Sequence, residues 1–196
     1  MFELFGVRIV EKPGFEADDL IGALVERFKK EEDLKIVVMS GDLDILQLVE
    51  GEKVVGQMFK TGITETVIYN EKAVEERFGI KPAQLPDYKG LVGDASDNIP
   101  GVKGIGPKTA APLIKEFGTL EEVFENLVII PEKVVKKLEN QKEIALLSKK
   151  LATIRRDAPL DVESLAELKV KSLDKEKLRS YFQDNGFKSL TERLEK

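Results

Sequence analysis

The 196-residue sequence predicts an α/β first half followed by an all-helical second half. Three observations carry that reading. A stretch of helical period, a short apolar run and a pair of strand-like runs follow one another between residues 16 and 69. No convincing strand pattern occurs beyond Pro82. From there Pro82, Pro107 and Pro131 stand where first-turn prolines belong, and Gly79, Gly118 and Gly186 where helices stop.

In chain order, residues 16–32 place Leu20, Ile21, Leu24, Val25 and Phe28 at three-and-four spacing, which predicts an amphipathic helix with an acidic first turn. Residues 35–39 form a nearly continuous apolar run, the pattern of a buried parallel strand, and Ser40-Gly41 ends it. A second helix is predicted around 45–49. Two further strands are predicted over 54–59 and 66–69, on either side of Thr61-Gly62, then a helix over 71–78 that Gly79 stops. The stretch 159–170 reads as extended. These signals divide the chain into an α/β core, 1–93, and a helical subdomain, 94–196, with a weak boundary over 94–100. There is no internal repeat and no low-complexity tract.

Composition narrows the chemistry. The chain has no Cys, His or Trp, which excludes disulfides, a thiol nucleophile, Cys-ligated zinc and any histidine-based acid/base pair. Carboxylates, lysines, hydroxyls, backbone groups and bound ions are left. No run approaches the roughly 20 apolar residues of a membrane helix. Met1-Phe2-Glu3-Leu4 lacks the basic start of a signal peptide, so the expectation is a cytoplasmic protein with no membrane partner. The net charge of −5 is unevenly spread: residues 1–100 hold 12 basic and 20 acidic side chains, residues 101–156 hold 11 and 7, and residues 157–196 hold 8 and 9. An acidic half joined to a basic segment suggests divided labour.

Three acidic clusters stand out: Glu16-Ala17-Asp18-Asp19, Asp42-Leu43-Asp44 and Asp94-Ala95-Ser96-Asp97. Each alone has an ordinary explanation, as a complement to a helix dipole, a helix cap or a turn. Together, seven carboxylates converging on one sheet edge would raise each other's pKa values unless cations neutralised them. With many Asp and neither His nor Cys, such a site suits Mg²⁺ or Mn²⁺ better than Zn²⁺. Two such ions can activate a water and stabilise both oxygens of an in-line phosphodiester displacement without histidine. A calcium loop is excluded, because counting from Asp42 or Asp94 finds no Gly at the sixth position and no Glu at the twelfth.

The most specific string is Gly101-Val102-Lys103-Gly104-Ile105-Gly106-Pro107-Lys108-Thr109-Ala110. Gly-Ile-Gly gives a tight turn of bare backbone, and Pro107 begins a helix whose free N–H groups form an anion site. Lys103 and Lys108 flank it, so a nucleic-acid phosphate, contacted without regard to sequence, is the expected ligand. The spacing from Gly101 to Lys108 is not that of a P-loop.

In this order, the clusters and the hairpin resemble the 5′-nuclease family, most closely the 5′-3′ exonuclease domain of bacterial DNA polymerase I. The matching strings are Gly14-Phe15-Glu16-Ala17-Asp18-Asp19, Ser40-Gly41-Asp42-Leu43-Asp44-Ile45-Leu46-Gln47-Leu48, Gly62-Ile63-Thr64, Gly93-Asp94-Ala95-Ser96-Asp97-Asn98-Ile99-Pro100-Gly101 and Gly104-Ile105-Gly106-Pro107-Lys108-Thr109-Ala110. The resemblance continues through residues 147–154 and 187–190. It implies a parallel-sheet core of PIN-like, Rossmann-like type followed by a helix-hairpin-helix at 101–116. It implies removal of 5′ flaps and nucleotides from branched or nicked duplex DNA, in replication or repair, by two-metal hydrolysis. Glu16, Asp18, Asp19, Asp42, Asp44, Asp94 and Asp97 would be the catalytic metal ligands. Lys103, Gly104, Ile105, Gly106, Lys108 and Thr109 would contact DNA, with a K⁺ at the hairpin carbonyls. Polymerase domains are implied partners.

Family members begin with a strand carrying a metal-binding Asp, a second Asp at a later strand end and a basic arch that threads the 5′ end. The chain lacks these, so the expectation is a fragment, a truncated gene or one piece of a split protein, with an incomplete sheet and weak or absent activity alone. A missing N-terminal segment then becomes a further expected partner. Two other readings compete. One is a non-catalytic DNA-structure binder. The other is a phosphatase of haloacid-dehalogenase type with Asp42 as nucleophile, which leaves the first acidic cluster and the hairpin unexplained.

Overall fold

The computed structural model describes residues 2–62 and 64–194, so Ile63 of the Gly62-Ile63-Thr64 string lies outside the described residues. Helix α1 (Ala17–Phe28) buries Leu20, Val25 and Phe28 of the predicted stripe, leaves Ile21 and Leu24 half-buried, and buries Ala23 besides. Strand β1 (Ile36–Ser40) follows and pairs in parallel with β2 (Val54–Thr61), in a register running from Ile36 opposite Val54 to Ser40 opposite Met58. The short turn after β2 leaves no room for a crossover, so β3 (Glu65–Tyr69) returns antiparallel. The sheet is therefore mixed, in the order β1-β2-β3, with the expected parallel pairing between its first two strands.

Two local readings change. The apolar run 35–39 is buried on one face only: Val38 is 7% exposed, whereas Val37 and Met39 are 48% and 56% exposed. The helix expected at 45–49 is a 3₁₀ helix, Leu43–Leu48. The Asp42 carboxylate accepts the Asp44 N–H at 2.9 Å and closes the chain into that tighter turn straight after β1, and Ile45, Leu46 and Leu48 fill the core beneath it.

The remainder is helical, as the proline and glycine punctuation predicts. Helix α2 (Glu71–Phe78) is capped by Asn70, whose side chain accepts the Ala73 N–H, and closed by left-handed Gly79. Helices α3 (Leu85–Val92), α4 (Pro107–Phe117), α5 (Leu120–Glu125), α6 (Glu132–Leu138), α7 (Lys142–Ala152), α8 (Lys175–Asp184) and α9 (Lys188–Leu194) follow. Pro107 is the first residue of α4, Pro131 immediately precedes α6, and Pro82 opens a 3₁₀ turn, Pro82–Gln84. Helix α3 lies along α7, where Lys149 joins Asp87 and Glu121, each at 2.6 Å. One core runs through both halves, with Val38, Ile45 and Val54 in the same apolar cluster as Leu91, Ile114, Leu120 and Leu138. After α7 the chain crosses α1 in extended form, packing Ala158 on Leu20 and Ala23, with a 3₁₀ turn at Leu165–Leu168.

Candidate metal centre and hairpin

Two of the acidic clusters sit where an element begins and the third lies in a closed loop. Glu16, Asp18 and Asp19 start α1, and the Asp19 carboxylate accepts the Glu16 N–H at 3.4 Å. Asp42 and Asp44 leave the C-terminal end of β1. Asp94 and Asp97 occupy a tight loop closed by reciprocal bonds, Asp94 N–H to the Ile99 carbonyl and Ile99 N–H to the Asp94 carbonyl, both 2.8 Å. Glycine is needed at the base of that loop. Gly93 and Gly101 have φ of +73° and +59°, and a Cβ on Gly101 would lie 2.2 Å from the Gly93 nitrogen.

The fold brings these segments together. Among the described residues, Asp44, Asp94 and Asp97 each offer a carboxylate oxygen within 4.8 Å of the other two. A cleft of about 950 Å³ is lined by Glu16, Asp18, Asp19, Asp42, Asp44 and Asp97, while Asp94 lines an adjoining hollow of about 600 Å³ that shares Asp42, Asp44 and Asp97. Burial pushes the Asp18 carboxyl above its usual range, and the neighbouring charges of Asp42, Glu16, Asp19 and Asp97 push it the same way. Those neighbouring charges repel one another, as expected of carboxylates drawn together.

Sequence reasoning missed Lys89. From α3 its ammonium contacts both Asp44 and Asp94, the latter at 2.5 Å. Burial pushes the Asp94 carboxyl up, but hydrogen bonds from Lys89 and from the Ser96 hydroxyl and N–H overcome this and hold it down at about 2. Two further supports escaped the sequence. The buried Gln47 side chain donates to the Ala152 carbonyl at 2.9 Å and accepts the Ile154 N–H at 3.0 Å, fixing a segment that also lines the cleft. Gly22 lets that segment cross α1, since a Cβ there would lie 2.6 Å from the Arg155 carbonyl oxygen; the Arg155 N–H then binds the Asp19 carboxylate at 3.0 Å. A lone interior glycine was the only signal for this crossing.

At the hairpin, Lys103, Gly104 and Lys108 are exposed and Gly106 is the N-cap of α4. Ile105 does not face outward as expected. It is 5% exposed and donates its N–H to the Val102 carbonyl at 3.0 Å, anchoring the turn in the core. The Thr109 N–H is likewise taken, by the Gly106 carbonyl at 2.9 Å. Lys137 of α6 donates to the Gly104 carbonyl at 2.7 Å, so one of the hairpin oxygens already holds a cationic partner.

A cleft carrying six carboxylates at the edge of an α/β sheet, in a chain whose helical half bears a glycine hairpin, is the arrangement to be compared with known proteins. A family model described as "5′-3′ exonuclease, N-terminal resolvase-like domain" matches residues 1–79, and one described as "5′-3′ exonuclease, C-terminal SAM fold" matches residues 80–176. The chain belongs to the 5′-3′ exonuclease family. It is 46% identical over 192 residues to a DNA polymerase I of Caldicellulosiruptor bescii, covering 97% of this chain and 22% of the relative. It is 39% identical to a 5′-3′ exonuclease of Mycoplasma genitalium, covering 97% of this chain and 65% of the relative. Among solved structures, T5 5′-exonuclease with bound divalent zinc superposes with a TM-score of 0.62 at 28% identity, over 71% of this chain and 50% of that one. The chain thus spans about a fifth of the polymerase relative and just under two thirds of the exonuclease relative.

Proposed function

We propose that this chain carries the metal-dependent phosphodiesterase site of a structure-specific nuclease that acts on 5′ flaps or 5′ ends of branched or nicked DNA. The observation that carries this reading is the meeting of three acidic segments, far apart in sequence, in one cleft.

The donor set fits hard divalent ions. All the convergent donors are carboxylate oxygens, the chain contains no His or Cys, and Mg²⁺ and Mn²⁺ prefer oxygen ligands. Asp44, Asp94 and Asp97 would hold one ion, and Glu16, Asp18, Asp19 and Asp42 would hold or orient the second. When bound, two such ions supply a water activated at neutral pH and neutralise charge on the displaced oxygen. The protein's own share is positional. Lys89 bridges Asp44 and Asp94 and keeps Asp94 ionised, the Arg155 N–H aims Asp19, and the closed 94–99 loop sets Asp97 beside them. Duplex DNA would be held by the Lys103 and Lys108 ammonium groups and by the free N–H groups at Gly104, Gly106 and Lys108, which contact phosphate without reading bases. Any K⁺ at the hairpin would use carbonyls other than that of Gly104. By analogy with the polymerase relatives, the partners in replication or repair are polymerase domains, and a cytoplasmic location suits that work.

The test combines binding with cleavage. Mg²⁺ or Mn²⁺ should raise the melting temperature relative to chelator, because an ion that binds only the folded state stabilises it by mass action. The gain should shrink when Asp94 and Asp97 are both changed to Asn. The same double change should abolish any Mn²⁺-dependent cut in a labelled 5′-flap substrate. Identical melting curves with and without metal, together with no metal-dependent cleavage, would refute the reading. DNA binding with no metal response would favour a non-catalytic DNA-structure binder.

A further inference from the structure

The lining of the carboxylate cleft also carries cations. The segment 150–155, which begins at the end of α7, lines the same cleft and meets its acidic residues where the Arg155 N–H binds Asp19. Its position is built in: Gln47 clamps it at Ala152 and Ile154, and Gly22 gives it passage over α1. The basic residues along it have different surroundings. Lys149 points into the helical half, between Asp87 and Glu121, and Arg156 donates to the Gln47 carbonyl at 2.9 Å. Lys150 is exposed and has no ion pair among the described residues. The Arg155 guanidinium lies over the Phe15 ring, 4.9 Å from its centroid, and Phe15 is flanked in the chain by Gly14 and Glu16, which line the cleft. A carboxylate of Asp157 also holds it, at 3.1 Å.

We infer that Lys150 and Arg155 bind the phosphates of the DNA strand lying across the metal cleft, whose lining they share with the carboxylates. Without them the lining of the cleft would offer a substrate strand six carboxylates and no cation. The Phe15 stack and the Asp157 pair set the guanidinium's direction before substrate arrives, so less side-chain freedom is lost on binding. Lys150 adds a mobile point charge next to it. This inference rests on the nuclease reading above and adds to it the residues that seat the strand at the site, apart from the duplex contact made by the hairpin.

The test uses the full chain, a fluorescent 5′-flap DNA and chelator, so that binding is read without cleavage. Two lost phosphate contacts should make the slope of log affinity against log salt shallower by about 1.8 in K150A/R155A, from about 0.9 per contact. R155K should recover part of that change, and K72A, a neutralised lysine on the exposed side of α2, should leave the slope as it is. Neutral methylphosphonates at the two phosphates flanking the flap junction should weaken the wild type but have little further effect on K150A/R155A. An unchanged slope in a folded double variant that binds DNA, or additive losses in the methylphosphonate comparison, would overturn the assignment while leaving the nuclease reading intact. A wild-type chain that binds no DNA at any salt concentration would overturn both.

Discussion

Replacing Lys89 by Met should cost about 2–4 kcal/mol of stability in chelator, and much less in Mg²⁺. The lysine side chain is 13% exposed, and its partners Asp44 and Asp94 are 11% and 19% exposed. Removing one partner of a buried ion pair typically costs about 3–5 kcal/mol, because it leaves uncompensated charge. Here the solvent still reaches the rim of the site, which lowers that figure. The Asp94 carboxyl gives an independent measure: it falls from an ordinary 3.8 to about 2. At about 1.36 kcal/mol per unit, discounted for screening, that is about 1–2 kcal/mol from Asp94 alone. In a domain of this length the total corresponds to a melting temperature lower by roughly 5–15 °C. The pH dependence has a definite sign. A carboxyl with a depressed folded-state pKa stabilises the protein above about pH 4 and loses that contribution as pH falls towards 2. The gap between wild type and K89M, measured by melting in chelator, should therefore be full at pH 7 and narrower at pH 3. Divalent ions should close much of the gap at pH 7, since they supply the charge the lysine no longer does, and K89M should bind Mn²⁺ more tightly than the wild type. A loss below about 1 kcal/mol, or a gap indifferent to both pH and metal, would refute the view that Lys89 holds the carboxylate centre together.

Gly22→Ala should destabilise the fold despite alanine's better helix propensity. Its Cβ would press on the Arg155 carbonyl oxygen and on Ile154 Cγ2, at 2.6 and 2.8 Å, and overpacking of this kind costs about 1–3 kcal/mol; a urea melt showing a gain would contradict the tight crossing of α1. Lys108→Glu should weaken binding to every DNA sequence alike and flatten the salt dependence by about 0.9, the share of one phosphate contact. Unchanged affinity, or a change confined to particular sequences, would count against the hairpin as the duplex grip.

The residues that were readable in the sequence are those whose role is local. Asp42 can be placed at a strand end and Glu16 at a helix start from their immediate neighbours, and Gly101 to Lys108 announces a turn into a helix start by its own spacing. What stayed hidden depends on partners distant in the chain. Lys89 reads as an ordinary helix lysine until the fold sets it against Asp44, 45 residues away. Gln47 gains its function only from the backbone 105 and 107 residues further on. The continuous apolar run of β1 suggested burial on both faces, but burial is decided by what packs over each face, and Val37 and Met39 are left exposed. The same physics explains the misreading of Ile105. Bare backbone on either side made it look like part of a phosphate cradle, whereas an apolar residue in a tight turn fixes that turn by entering the core. Lys149 and Lys150 make the distinction plainest. They are adjacent and identical in type, yet a helix turns successive side chains by about 100°, and that rotation places one between Asp87 and Glu121 while leaving the other exposed beside the acidic cleft.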